Sequence, residues 1–388
     1  MRLRKELPKG FYDYSGYRAE NIRVIINDFF QCCKKFGFQY CENSLVGFEN
    51  TFLEFGTAAI GRGYQFEDNK GRKLMLCADS LSSMLRICCK HVATSDNNLR
   101  IMGRVQIFRY RRKAYRNWSH LIATMVNESN SLIAYNDLFL VANNFLSKYY
   151  GNITFEIYVY SIFETLFETY DIDKKVAFQL MHNKLVKKEV LDNFELDRII
   201  ETVLKSATNS DGSLLVLDNL LKVYPLLQDV INELRDLLNL LSRQGISYAI
   251  VWDNFKAIEY SSGVCFIVKD ENNQIIADGG AYNRIVSELD EKIINCYSFA
   301  CSLENILDKY NYLILDSNIN SIYLIKLDCS SQFFAQVCAF YRAREVNVFP
   351  ICSDKKLSKV LSNLPKNSKY IVIGKKEEEN TEYMRGFE

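Results

Sequence analysis

Proline is scarce in this chain, with 4 in 388 residues, and glycine numbers only 17. Long flexible linkers need such residues, so their scarcity excludes extended disordered tracts and leaves room for two or three packed domains. Histidine is scarcer still: His91, His120 and His182 are the 3 present, and none sits near paired cysteine ligands, which argues against a zinc site. No C-x-x-C pair occurs among the 12 cysteines; Cys32-Cys33 and Cys88-Cys89 are vicinal instead. Met1 to Glu6 lacks the apolar core of a signal peptide, and no run reaches the roughly 18 apolar residues of a membrane span. The expectation is therefore a reducing cytoplasm, with the cysteines acting as small buried apolar groups and the vicinal pairs serving helix packing. A net charge of +1 supplies no global field for nucleic acid or a membrane, although local basic patches stay open. What the chain does have is bulk: 25 Phe, 24 Tyr and a hydrophobic fraction of 48% provide material for full cores.

Periodicity places the elements. Ile22, Ile25, Ile26, Phe29 and Phe30 form one stripe of an amphipathic helix that ends near Phe36-Gly37. Gly63 to Asp68 and Arg72 to Cys77 flank Asn69-Lys70-Gly71 as a hairpin, and a helix is expected from Ser82 to Val92. Leu99 to Tyr110 alternates like a strand, with a basic loop at Arg111-Arg112-Lys113 and a returning strand at Leu121 to Met125. Leu132 to Tyr150 reads as a helix. The stretch from Ile162 to Leu241 is mostly helical, broken at Asn209 to Gly212, with a helix pair around Tyr224-Pro225. Strand-like and helical segments then alternate from Ser321 to Gly374 as a βαβαβ pattern, which predicts a small, mostly parallel three-layer domain beyond a boundary near Leu313 to Asn320.

The most informative stretch is Ile275-Ile276-Ala277-Asp278-Gly279-Gly280-Ala281-Tyr282-Asn283. Together with Glu259 to Phe266 and the polar turn Lys269 to Gln274, it predicts two strands of a hairpin with small residues at one end. Such a hairpin can floor a small-molecule pocket, and paired glycines meet a need for backbone shape or close approach.

In order along the chain, these pieces resemble the histidine-type class II aminoacyl-tRNA synthetases. Leu7-Pro8-Lys9-Gly10-Phe11-Tyr12-Asp13 is similar to the family's Pro-x-Gly-x-x-Asp segment, and Tyr64 to Asp79 to its Tyr-x-Phe-x-Asp-x-x-Gly hairpin. Phe108-Arg109-Tyr110-Arg111 resembles motif 2. Tyr260-Ser261-Ser262-Gly263 stands in place of Tyr-Tyr-Thr-Gly, and Gly279-Gly280-Ala281-Tyr282-Asn283 in place of Gly-Gly-Arg-Tyr-Asp. The resemblance implies an α+β fold: an antiparallel sheet flanked by helices over residues 1–315, a helical insertion at about 162–245, and an anticodon-binding-like α/β domain over 321–388.

The departures point away from adenylation. Asn305 occupies the place of the motif 3 arginine, Ala281 replaces the arginine of Gly-Gly-Arg-Tyr-Asp, and Lys256 stands where the catalytic loop has Arg, keeping a charge without the bidentate fork. Asp79 keeps a carboxylate where the family binds an amino group, while Leu81 loses the hydroxyl. His120 and Thr124 fall where a Gln and a Glu would contact histidine, and Asn43 to Gly47 lacks the family's Glu. The family has a non-ligase branch, the regulatory subunit of ATP phosphoribosyltransferase, and the spacing from Asp253 to Gly263 is similar to it. That resemblance implies a cytoplasmic, non-catalytic homodimer within a hetero-oligomer with the short-form ATP phosphoribosyltransferase catalytic subunit. It implies no cofactor of its own, and histidine bound in a remnant pocket of Asp79, Arg109, His120, Thr124, Lys256, Tyr260, Ser261, Gly279, Gly280 and Tyr282. An atypical histidine–tRNA ligase and a synthetase-like module binding RNA or protein are the alternatives.

Each residue also has a structural role open to it. Asp79 fits a helix N-cap, Arg109 an exposed strand position, and His120 a structural or interface position, since no Ser or Cys nucleophile motif accompanies it. Tyr260 and Tyr282 fit core positions. Arg111 to Lys113, with Tyr115, Arg116 and Trp118, fit either an RNA-contact loop or a solvated loop at a subunit interface.

Overall fold

Strands form where apolar residues alternate or crowd both faces. In chain order they are β1 (Gln39–Tyr40), β2 (Val46–Phe48), β3 (Gln65–Glu67), β4 (Lys73–Leu76), β5 (Leu99–Phe108), β6 (Asn117–Val126), β7 (Ile153–Val159), β8 (Tyr248–Ile250), β9 (Ser262–Asp270), β10 (Ile275–Ala281) and β11 (Cys296–Ser302). The computed structural model describes residues 6–53, 61–92, 98–111, 115–173, 176–177, 179–180, 184, 194–208, 213–252, 261–289, 292–310, 321–353, 355–364 and 368–380. Two units are distinct, Met1–Asp13 with Ile25–Ile306, and Tyr14–Val24 with Leu307–Glu388.

In the first unit eight strands pair in the order β1-β5-β6-β11-β10-β9-β7-β8, and a small sheet runs β2-β4-β3. The large sheet is antiparallel except for the edge pairs β1 with β5 and β7 with β8. The expected hairpins form as β3–β4, β5–β6 and β9–β10. Helix Ser80–Val92 covers one face, where Met84, Leu85 and Cys88 are buried with Val105, Ile107 and Ile122. Helix Ser131–Tyr150 covers the other. Asn130 caps it by accepting Ile133 N, and Gly151 ends it at φ 72°. Phenylalanines interlock on that side: ring centroids lie 4.5 Å apart for Phe139 and Phe266, and 5.2 Å for Phe29 and Phe145.

Strand β7 was not expected from the sequence. Ile157, Tyr158 and Val159 are all buried, so no alternation marks its second half, and helix Tyr160–Thr169 follows at once without a side-chain cap. Beyond it, helices Phe194–Thr208, Ser213–Val223 and Gln228–Arg243 occupy the insertion; the break at 209–212 lies outside the described residues. Ile231, Leu234, Leu237, Leu238 and Leu241 give the last of these its buried stripe.

The second unit carries β12 (Ser321–Lys326), β13 (Asn347–Cys352) and β14 (Tyr370–Ile373), paired in parallel in the order β13-β12-β14. Helix Ser331–Ala343, capped by Ser330, buries Phe334, Val337 and Cys338 with Leu324 and Ile373. Residues 311–320, where the sequence places the boundary, lie outside the described ones. All cysteines are free, most are buried and Cys352 alone is exposed. Among the described residues no helix is long and apolar enough to cross a membrane.

Candidate ligand-binding site

The site begins at the junction of β4 and helix Ser80–Val92. Asp79 Oδ1 accepts Ser82 N at 2.9 Å, so the residue is the helix N-cap, where the helix dipole also favours its negative charge. Its Oδ2 accepts Arg109 Nη2 at 2.9 Å, and Arg109 Nε donates to the Ala78 carbonyl. One carboxylate therefore caps the helix and pairs with Arg109. Arg109, at the end of β5, is not the exposed strand arginine that its position allowed: its side chain is 17% exposed and that of Asp79 24%.

His120 follows on β6. Trp118 Nε1 donates to its Nε2 at 2.9 Å, which leaves the ring proton on Nδ1, 2.9 Å from Ser80 Oγ. Desolvation is the main influence on the ring; with the positive Arg109 and Arg111 it outweighs the attraction of Asp79 and pushes the pKa down to about 4. His120 is thus a neutral, oriented imidazole at pH 7. It lines a cavity of about 190 Å³ with Arg111, Trp118, Asp278, Cys301 and Asn305 among the walls. The Arg111 guanidinium stacks on Trp118, 3.8 Å from the ring centroid.

The hairpin does floor this cavity, but with Ile275 to Asp278 rather than with its glycines. Gly279 and Gly280 fix the sheet. A Cβ on Gly279 would lie 2.7 Å from Phe266 Cζ and Ser298 O; one on Gly280, at φ +136°, would lie 2.4 Å from Cys265 Cα. Thr124 lies on the His120 face of β6 but is fully buried, its Oγ1 2.9 Å from Ser298 Oγ. Tyr282 is buried in the core with Met84 and Val286, which is the structural role open to it. Ser261 is buried, and its carbonyl accepts Arg284 Nη2 at 2.8 Å. Lys256 and Tyr260, like Arg112 and Lys113, lie outside the described residues.

Of the expected residues, the structure brings together Asp79, Arg109 and His120, and it adds Asp278, Arg111, Ser80 and Trp118. Asp278 had a signal in the sequence: an acid inside the apolar run Ile275-Ile276-Ala277. It is exposed and lines the cleft. Partial loss of hydration, with the negative Asp79 nearby, pushes its pKa up to about 6.

An antiparallel sheet with cavity-lining residues on β6, β10 and β11, interrupted by a helical insertion, defines a class II aminoacyl-tRNA synthetase fold. The sequence profile described as histidyl-tRNA synthetase matches residues 10–306, and the chain belongs to that family. It is 25% identical over 393 aligned residues to a histidine–tRNA ligase of Saccharolobus islandicus (strain L.S.2.15 / Lassen #1), covering 96% of this chain and 92% of that one. Among solved structures, the ATP phosphoribosyltransferase regulatory subunit/histidyl-tRNA synthetase from Bacillus halodurans superimposes with a TM-score of 0.74 at 13% identity, covering 96% of this chain and all of that one. The histidyl-tRNA synthetase from Nostoc sp. PCC 7120 gives 0.73 at 15% identity, covering 93% and 89%.

Proposed function

We propose that this chain is a non-catalytic, ligand-sensing member of its family: a regulatory subunit of the ATP phosphoribosyltransferase type, acting in the first step of histidine biosynthesis. On this reading it forms a cytoplasmic homodimer within a hetero-oligomer with short-form catalytic subunits, and the pocket around Asp79, Arg109 and His120 receives histidine. One observation carries it. The cations that adenylation needs at the phosphates are absent or engaged: Asn305 and Ala281 stand in place of arginines, while Arg109 is held by Asp79 and the Ala78 carbonyl. A neutral His120, its two ring nitrogens held by Trp118 and Ser80, supplies no charge to stabilise a phosphate.

A working histidine–tRNA ligase is the second reading, and the 25% identity to a protein of that name over 96% of the chain favours it. Histidine-dependent ATP–pyrophosphate exchange by the full chain separates the two. No exchange, together with saturable histidine binding by calorimetry, is expected on the first reading; exchange that depends on histidine overturns it.

A further inference from the structure

The cavity beside His120 holds two charges of opposite sign, Arg111 and Asp278, that do not pair with each other. Asp278 has no hydrogen-bond or ion-pair partner among the described residues. Arg111 meets the ring of Trp118 and, through its carbonyl, Arg116, but no carboxylate. Both residues are exposed to the cleft, so each can reach an oppositely charged group of a bound solute. Asp79 cannot serve Asp278, being like-charged and already engaged by Arg109 and Ser82.

We propose that Asp278 is the specificity-determining residue of this cleft: it receives the cationic end of a small zwitterion whose anionic end meets Arg111, and it disfavours a polyphosphate. Three features support this. The strand register sets Asp278 beside Ala300, which faces Ile122, so its carboxylate lies on the His120 face of the sheet. A cavity of about 190 Å³ admits a molecule of amino-acid size and little more. The stack of Arg111 on Trp118 covers a face of the indole, so the cleft fills its own stacking surface. An acid on the cleft floor repels a triphosphate and attracts an ammonium, so one residue both excludes and selects.

This inference rests on the reading of the site as a small-ligand pocket, and the test separates the two. The full chain is titrated by calorimetry with histidine, with histamine (cation only), with imidazole-4-propionate (anion only), with ATP–magnesium, and with a panel of the other amino acids. Histidine is expected to bind at least about 10-fold more tightly than either half-ligand. Asp278→Asn should lose about 10-fold for histidine while gaining affinity for imidazole-4-propionate, and Arg111→Gln should do the reverse for histamine. Asp278→Ser serves as a second variant, and thermal melting verifies that each is folded. If histidine binds Asp278→Asn and wild type equally, the role of Asp278 is overturned while the histidine reading stands. If another amino acid binds with Asp278 dependence and histidine does not, the histidine reading falls and the role of Asp278 stands. Tight ATP binding by the wild type, or no zwitterion bound at all, overturns the inference.

Discussion

Replacing Asp79 separates its two duties. The residue caps helix Ser80–Val92 and pairs with Arg109, and asparagine can perform only the first. Loss of an N-cap acceptor costs about 1 kcal/mol, and asparagine caps as well as aspartate. The ion pair is neither fully exposed nor fully buried, with side chains 24% and 17% accessible. Exposed pairs contribute up to about 1 kcal/mol and breaking a buried one costs 3 to 5, so this pair falls at about 1–2 kcal/mol. Asp79→Ala should therefore cost about 2.5 kcal/mol and Asp79→Asn about 1.5 kcal/mol. At about 2 °C per kcal/mol for a unit of this size, the melting temperature should fall by about 5 °C and about 3 °C, as read by differential scanning fluorimetry. Arg109→Met should cost about as much as Asp79→Asn, and the double variant should cost about 1 kcal/mol less than the sum. Equal losses for Ala and Asn, or fully additive costs for the double variant, would refute the assignment of cap and pair to one carboxylate.

Other outcomes follow from the same geometry. Gly280→Ala should abolish soluble expression or lower the melting temperature by at least about 6 °C, because its Cβ would meet the Cys265 and Val264 backbone at 2.4 and 2.6 Å and φ is +136°; a variant that melts like wild type refutes the close approach. His120 titrates at about 4 in the folded chain against 6.5 ordinarily, so the unfolded chain binds its proton first. The stability it supports is complete above pH 6.5 and is lost as pH falls toward 4, so His120→Gln should flatten the melting-temperature profile across that window and not above it. Asp278 has the opposite sign: its ionised form is disfavoured in the fold, so stability rises as pH falls through about 6. Asp278→Asn should accordingly raise the melting temperature at pH 7.5 and leave it unchanged at pH 3, below both the folded and the usual carboxylate values.

Much of the fold was legible because period and punctuation agree. Helix Ser131–Tyr150 has its apolar stripe, its Asn130 cap and its Gly151 stop, and the β9–β10 hairpin has a polar turn between two apolar runs. Strand β7 was missed because its second half, Ile157 to Val159, is buried on both faces and runs straight into a helix, which leaves only a short alternating stretch. The site was legible where motif order supplied position, as at Asp79, Arg109 and His120. Tyr282 and the two glycines belong to the same motif, yet their side chains or lack of them serve packing, which no single sequence separates from ligand contact. Asp278 and Arg111 were not assigned to the pocket, for a different reason. Neither points to the other in the sequence, and only the sheet register brings a residue of β10 to the same cleft as one that follows β5.

The guanidinium lying on Trp118 gives the molecule a built-in optical gauge. Trp252, the second of the 2 tryptophans, does not line the cavity, so a change in emission on adding a solute can be assigned by comparing wild type with Trp118→Phe. A solute that draws Arg111 off the indole alters that ring's surroundings directly, and occupancy becomes readable in dilute solution without any label.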